Sequence, residues 1–430
     1  MMDLKREANK GSKPAIHFEW REKFNSQLIL SELASARSVA NGRSSFDASA
    51  HAFWLPVIKS AIKAHSRVGN LGARCIEAAL SDANLTLNSP AAFLERCDKA
   101  YEHLSVLPKT EFVVYSTLTY TGPKPVNWLK TGDIRIQWQP SENGSFVRKA
   151  LRARDSMSSL LKSRKVPTEN GGLTTVIAHV SALNPQDAQE KATDALDALR
   201  GLLNLLVNSS RSINPFAVLT TPHAVNKFRR GAFQTVHLPD GSLASEMFWY
   251  EPRWQHDHQS VKFKDPDNYR KSILGWWGKI QKNPLRDHIC SGLLRYCRAL
   301  DHHESDSALL EMWGALEFLT GTQNERYDIT IDRIERLFRD RDHARLIANH
   351  IRHRRNQSVH AAQSLESDES DAVLIHAEML VSRILFFCIE DGANFVDKGE
   401  LFEFLSLSYD EENWKRRDKL SRLFFQYQKR

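Results

Sequence analysis

The spacing of apolar residues changes twice along this chain, and these two changes most constrain its fold. Up to about Val106 the apolar residues recur at helical intervals, as in AFWLPVIKSAIKAH. From Pro108 they alternate with polar residues or form short β-branched runs, and from about Asp267 the helical interval returns and continues to the end. A strand-forming region between two helical regions predicts a multidomain α+β protein.

The first region is predicted to be helical over residues 1–107. Four segments carry the pattern: FNSQLILSELASARSV, AFWLPVIKSAIKAH, GARCIEAALSDA and SPAAFLERCDKAYEHL. In the last segment Ser89 suits the N-cap and Pro90 suits the first helical position.

Residues 108–255 are predicted to form an α+β domain. The predicted strands are FVVYSTLTY, DIRIQW, TTVIAHV, FAVLTT and AFQTVHL, the last followed by the turn signal Pro239-Asp240-Gly241. After Asn184-Pro185, a helix with one leucine-rich face is expected to cover one side of a mainly antiparallel sheet.

The C-terminal region predicts an all-α bundle over residues 256–398, followed by a helical tail over 399–430. A polar segment, EPRWQHDHQSVKFKDPDNY, precedes its helices. Within that segment His256, Asp257 and His258 do not predict a metal site, because no third histidine follows at a helical interval. We expect a surface loop there.

Composition and charge indicate which kinds of partner the protein could bind and which cellular compartment it could occupy. The net charge of +7 and the pI near 9.1 favour polyanionic partners such as RNA. Five scattered cysteines without a CxxC pair indicate reduced thiols, and neither a zinc site nor a disulfide framework. The N-terminus lacks the apolar stretch of a signal peptide, and polar residues interrupt the apolar run AVLIHAEMLVSRILFFCIED. We therefore expect a soluble, cytoplasmic protein with no membrane association, metal or cofactor.

The stretch RRNQSVHAA, beginning at Arg354, contains an arginine and a histidine that could form a catalytic pair, Arg355 and His360. The spacing alone does not establish a site. The same interval of five residues occurs at Arg253/His258, Arg298/His303 and Arg345/His350. Because short motifs match by chance, the surroundings of each arginine must distinguish them.

On one continuous helix, Asn356 and His360 share a face, while Arg355 lies about 140° from His360. The two side chains would reach a common phosphate through the long arginine stem, a local break in the helix, or a second copy of the protein. A symmetric dimer is one direct solution.

These residue types suit cleavage of RNA by its own 2'-hydroxyl. A histidine can activate that hydroxyl or protonate the leaving oxygen. Arginine binds phosphate through two donors and stabilises negative charge in the transition state. Asn356 would add a neutral polar contact, and the neighbouring Arg352, His353 and Arg354 would bind the RNA backbone. The alternative is a solvated charged helix, since arginines and carboxylates alternate along this segment.

The segment RNQSVH resembles the R-x4-6-H motif of HEPN domains, including a polar residue directly after the arginine. The stretch ALLEMWGALEFLTG, about 40 residues upstream, resembles the helix before the motif in Apea-like HEPN proteins, and AVLIHAEMLVSRILFFCIE resembles the helix after it. The resemblance covers roughly residues 267–395.

The resemblance implies a bundle of four or five helices that dimerises and a metal-independent endoribonuclease. In this family the positions of Arg355 and His360 carry catalysis, with Asn356 as auxiliary residue, and many members act as toxins or abortive-infection effectors against phage. Glu317, inside an apolar helix, is a candidate anchor for Arg355.

The leading hypothesis is therefore an Apea-like HEPN ribonuclease that cleaves tRNA or mRNA as a homodimer. The α+β domain and the N-terminal helices would regulate substrate access or sense a phage-derived trigger or a cognate inhibitor. Two alternatives remain open: a non-catalytic RNA-binding or sensing module, and a protein-interaction scaffold without an RNA role.

Overall fold

The structure is a computed structural model. It describes residues 17–40, 43–121, 124, 126–167, 169, 173–208, 226–252, 254, 265–323, 325–360, 367–407 and 410–428. The chain divides into two compact units, Met1–Pro108 and Lys109–Arg430. The predicted strand FAVLTT and the residues His256, Asp257 and His258 lie outside the described part of the chain.

The first unit combines helices with short strands. Its helices are α1 (Ser26–Ser35), α2 (Ala48–Ala61), α3 (Gly72–Ser81) and α4 (Pro90–Val106), and its strands are β1 (Phe18–Trp20), β2 (Arg37–Ala40), β3 (Arg43–Phe46) and β4 (Ile62–Ala64). Strand β1 pairs with β4 and β2 pairs with β3, both antiparallel. The sequence pattern did not predict these strands, because three or four residues are too few to establish an alternation. The predicted cap is confirmed, since Ser89 accepts a hydrogen bond from the Ala92 amide.

The second unit contains a six-stranded antiparallel sheet. Its strands are β5 (Thr110–Leu118), β6 (Trp128–Thr131), β7 (Ile134–Trp138), β8 (Thr174–Ala182), β9 (Phe233–His237) and β10 (Leu243–Tyr250). They are arranged in the order β10-β9-β5-β8-β7-β6, and every recorded pairing is antiparallel. The predicted antiparallel sheet is confirmed.

Helices cover both faces of this sheet to different extents. The helices inserted between its strands are α5 (Ser145–Ser156), α6 (Ser158–Ser163) and α7 (Pro185–Asn208). Helix α7 covers one face, as predicted, with Leu196, Leu199 and Leu203 fully buried. On the opposite face Ala150 of α5 packs against Val113 of the sheet.

Within the described residues, eight helices follow the sheet. They are α8 (Pro266–Lys282), α9 (Arg286–Asp301), α10 (Ser305–Thr320), α11 (Tyr327–Glu335), α12 (Arg341–His360), α13 (Ser367–Glu390), α14 (Lys398–Ser406) and α15 (Glu411–Gln428). Helix α7 packs closely on α9, where a Cβ on Gly201 would lie 2.3 Å from the Leu293 carbonyl oxygen. The sheet and the C-terminal helices thus share one core, and the predicted domain boundary at residue 255 falls inside the second unit.

Helix α13 is the central apolar helix of the C-terminal region. Its segment Ala372–Glu390 is long and apolar enough to cross a membrane, but 56% of it is buried within the protein. It packs against α9, α10 and α12. This burial agrees with the predicted core helix. The five cysteines are free thiols, also as predicted, and four of them are buried.

Candidate active site on helix α12

Helix α12 directs Arg355 toward the interior of the second unit. Ala344, Ala348 and Ile351 are buried on the helix face that contacts α10, α11 and α13. Arg355 follows Ile351 by four residues and therefore continues this inward row. An arginine in that position needs partners in the neighbouring helices, because burying an uncompensated charge is costly.

The partners of Arg355 are neutral groups. Its Nη1 donates to the Tyr327 hydroxyl at 2.7 Å and to the Asn356 Oδ1 at 3.1 Å. The guanidinium also lies over the Tyr327 ring, 4.8 Å from its centroid, which is a favourable cation–π distance. Nε is buried without a hydrogen-bond partner, and Nη2 donates to none of the described residues. Arg355 is therefore held in place while retaining its charge and a free donor group.

Tyr327 is itself positioned by the neighbouring helix α10. The Trp313 ring meets the Tyr327 ring edge-on, with 5.8 Å between centroids. The Trp313 Nε1 donates to the Glu317 Oε1 at 2.7 Å, one helical turn further along α10. Glu317, the candidate anchor for Arg355, therefore contacts Trp313 and not the guanidinium.

The first turn of α11 holds a second arginine of α12. Arg352 forms an ion pair with Asp328, the residue after Tyr327. Arg354 is half-buried, and its Nη1 donates to the Gln357 Oε1 at 3.3 Å, whereas His353 is exposed. Of the three predicted RNA-binding side chains, Arg352 is neutralised by a carboxylate and His353 faces solvent.

Asn356 is placed beside the guanidinium that it was predicted to assist. Its Oδ1 accepts from Arg355, and its Nδ2 has no partner among the described residues. The amide nitrogen therefore remains available to a ligand next to Arg355.

His360 is the last residue of α12, and its side chain lies outside the described atoms. The helix is continuous from Arg341 to His360, so a local break between Arg355 and His360 does not bring them together. The guanidinium of Arg355 is directed at Tyr327 on helix α11.

Carboxylate partners distinguish Arg355 from the other arginines that precede a histidine by five residues. Arg253 and His258 lie outside the described residues. The two others are bound by carboxylates: Arg298 by Asp194 and Asp197, and Arg345 by Asp332 and Glu335. Among the three described arginines of this spacing, Arg355 alone has no carboxylate partner. It is the one that keeps its charge available to an external anion.

A separate cluster of possible metal ligands lies between α7 and α9. Ligand atoms of Asp197, Cys297 and Asp301 lie within 4.8 Å of one another. Arg200 is fully buried there, with Nη1 2.7 Å from Asp197 and 3.0 Å from Asp301, and its Nε donates to the Phe228 carbonyl. Burial raises the pKa of the Cys297 thiol well above its ordinary value, so the sulfur stays protonated. The Arg200 guanidinium pairs with both carboxylates, which makes this cluster a structural ion-pair network.

Sequence reasoning did not identify Tyr327. It lies 28 residues before Arg355 at the start of a separate helix, and no motif joins the two positions. A weak signal existed, since Tyr327-Asp328 presents a phenol and a carboxylate in one turn and Arg352 and Arg355 are three residues apart.

No family model matches this chain, and no curated protein or solved structure matches it either.

Proposed function

We propose that this protein is a metal-independent endoribonuclease of the HEPN type, in which Arg355 and His360 carry catalysis. The observation that supports the proposal most is the environment of Arg355. Its guanidinium is fixed by Tyr327 and Asn356, has no carboxylate partner among the described residues, and keeps Nη2 free. A phosphate would supply the missing anion and accept two hydrogen bonds from such a group.

In the proposed reaction the RNA supplies its own nucleophile. The 2'-oxygen attacks the adjacent phosphorus while an imidazole takes the hydroxyl proton, and the bond between phosphorus and the 5'-oxygen breaks. The leaving oxygen takes a proton from a second imidazole, so the products are a 2',3'-cyclic phosphate and a 5'-hydroxyl. Arg355 stabilises the charge that develops on the phosphate oxygens. No metal is required, and the need for a 2'-hydroxyl restricts the substrate to RNA.

A homodimer would complete this site. Arg355 and His360 lie about 140° apart on an unbroken helix, so they do not share a face within one copy. Two copies related by a twofold axis can each contribute an arginine and a histidine around one phosphate. This arrangement also provides the two imidazoles that the reaction uses.

We further propose a role in defence against phage, as a cytoplasmic toxin or abortive-infection effector that cleaves tRNA or mRNA. The support for this role is the resemblance of RNQSVH and its flanking helices to Apea-like HEPN proteins. The sheet and the N-terminal unit would then receive the trigger or the inhibitor that controls cleavage.

The test is incubation of the purified protein with total tRNA and with a long RNA in EDTA, followed by analysis of the product ends. Wild type should produce 2',3'-cyclic phosphate ends, and His360→Ala should produce none. His350→Ala is the matched control, because His350 lies on the same helix at the same spacing from an arginine, and it should cleave like wild type.

Toxicity in cells distinguishes a non-catalytic module from a nuclease that does not cleave RNA in vitro because its trigger is missing. Loss of toxicity in both Arg355→Ala and His360→Ala is expected. If both variants remain toxic and both still cleave RNA, the proposal is wrong. RNA that is bound but stays whole, from a protein that is not toxic, would instead identify a non-catalytic RNA-binding module.

A further inference from the structure

A cleft lies on the sheet of the second unit, on the face opposite α7. Its volume is about 510 Å³, and it opens where β6, β7 and β8 run side by side. Because side chains alternate along a strand, Arg135 and His179 point away from α7, whereas Ile136 and Val180 point toward it. The cleft is large enough for a small organic ligand, since such sites occupy roughly 300–1,000 Å³.

The wall of the cleft is a planar cation stacked on an aromatic ring. The guanidinium carbon of Arg135 lies 3.6 Å from the centroid of the Trp128 ring. On the same wall the His179 ring is 5.5 Å from that centroid, tilted by 46°. The sheet register explains this proximity, because Lys130 pairs with Arg135 on the neighbouring strand and Arg135 pairs with His179 on the next.

Three polar side chains of the cleft lack, among the described residues, the carboxylate or hydrogen-bond partners that such groups normally have. Arg135 and Lys130 are exposed and have no carboxylate partner among the described residues. The His179 Nε2 is buried and has no hydrogen-bond partner within the described part of the chain. Burial, followed by the nearby charge of Arg135, lowers the pKa of His179 below its ordinary value, so the ring is neutral at pH 7. A neutral imidazole can donate or accept a hydrogen bond with a ligand.

We propose that this cleft binds a nucleotide, with the base stacked on the outer face of the Arg135 guanidinium and the phosphate beside Lys130. Guanidinium planes and aromatic rings are both stacking surfaces for unpaired bases. The inference does not depend on RNA cleavage. The ligand is either a free nucleotide or one nucleotide of a single-stranded RNA, since both present the same base, ribose and phosphate.

The charge of the cleft favours one phosphate over several. Glu111 and Asp133 also line it, and they balance the charges of Lys130 and Arg135. The two carboxylates can accept hydrogen bonds from ribose hydroxyls, but they would repel a triphosphate. Stacking therefore contributes more to affinity than charge does, and binding should depend weakly on salt.

The experiment uses the full-length chain carrying Arg355→Ala, so that RNA remains whole, with AMP, GMP, CMP, UMP and eight-nucleotide single-stranded RNAs as probes. Binding is measured by calorimetry and by fluorescence anisotropy of labelled RNA. Trp128→Ala and Arg135→Ala should each weaken binding about tenfold, as expected for the loss of one stacking contact. Arg135→Lys keeps the positive charge but lacks the planar guanidinium, and it should weaken binding nearly as much as Arg135→Ala.

The matched control is Arg148→Ala, which removes an exposed arginine of α5 that has no carboxylate partner among the described residues. It should change affinity less than twofold. Binding of mononucleotides that Arg135→Lys weakens would identify a free-nucleotide site, and binding of the RNA alone with the same loss would identify a strand-binding site. The proposal is overturned if the protein that carries only Arg355→Ala binds neither mononucleotides nor RNA at millimolar concentration. It is also overturned if Arg135→Lys and Arg148→Ala bind with equal affinity, or if affinity falls steeply with salt.

Discussion

The two ends of α12 carry the same spacing of arginine and histidine in different electrostatic surroundings. Near the beginning of the helix, Arg345 is bound by Asp332 and Glu335. Near its end, Arg355 is bound by a phenol and an amide. Charge compensation by carboxylates makes the first arginine part of the fold, whereas neutral partners leave the second one able to bind an external anion. The surroundings, and not the spacing, separate a structural arginine from a candidate catalytic one.

The largest effect expected from this comparison is that one variant loses RNA cleavage and the other loses stability. Arg355→Ala should lower the rate of RNA cleavage by about 10²–10³, because one donor to a developing anion contributes that much. Arg345→Ala should leave cleavage per folded molecule unchanged and should lower the free energy of unfolding by about 1 kcal/mol, since its ion pairs are partly exposed. Cleavage rates and urea denaturation of both variants measure the two effects. An equal loss of cleavage in both variants would show that the two arginines of α12 do not differ in function.

The sequence predicted the fold best where the apolar pattern was long. Strands β5 and β8 and helices α7 to α10 were located from periodicity, whereas the three- and four-residue strands of the first unit were not. The inward direction of Arg355 could have been found from sequence, because Ala344, Ala348 and Ile351 define the buried row. Its contact with Tyr327 could not, since that contact depends on how α11 and α12 pack together.

The electrostatic difference between the two ends can be reversed by placing a carboxylate beside Arg355. Tyr327→Glu would give Arg355 a charged partner like those of Arg345, and the guanidinium would then be neutralised by its own protein. We expect RNA cleavage to fall by about two orders of magnitude, approaching the loss in Arg355→Ala. Tyr327→Gln is the control, because glutamine has nearly the same shape as glutamate but carries no charge. If the Glu and Gln variants cleave equally, charge compensation does not explain the difference between the two ends.

A smaller effect is expected when only the hydroxyl of Tyr327 is removed. Tyr327→Phe keeps the ring beneath the guanidinium and the edge contact with Trp313, but it loses the hydrogen bond of 2.7 Å to Nη1. A hydrogen bond from a charged donor contributes about 1.5 kcal/mol at the lower end of its range, which suits this partly buried contact and corresponds to a loss of roughly tenfold. Measurement of kcat and KM on a short RNA should place the loss in kcat, with thermal stability unchanged. A fall in Tm without a change in kcat would show that Tyr327 supports folding only.

The smallest effect concerns pH and the carboxylates that bind Arg345. Burial raises the pKa of Glu335, but hydrogen bonds from Arg345 and Arg341 outweigh burial and hold it below the ordinary value of 4.5. A lowered folded-state pKa adds stability above pH 4.5, and that stability is lost as the pH falls through the folded-state pKa. Arg345→Ala removes part of the cause, so the free energy of unfolding should fall less between pH 5 and pH 3 than in wild type. Arg355 pairs with no carboxylate among the described residues, so Arg355→Ala should follow the wild-type pH profile, as measured by urea denaturation across this range. An altered profile in Arg355→Ala alone would mean that a carboxylate, and not the proposed phosphate, is the natural partner of Arg355.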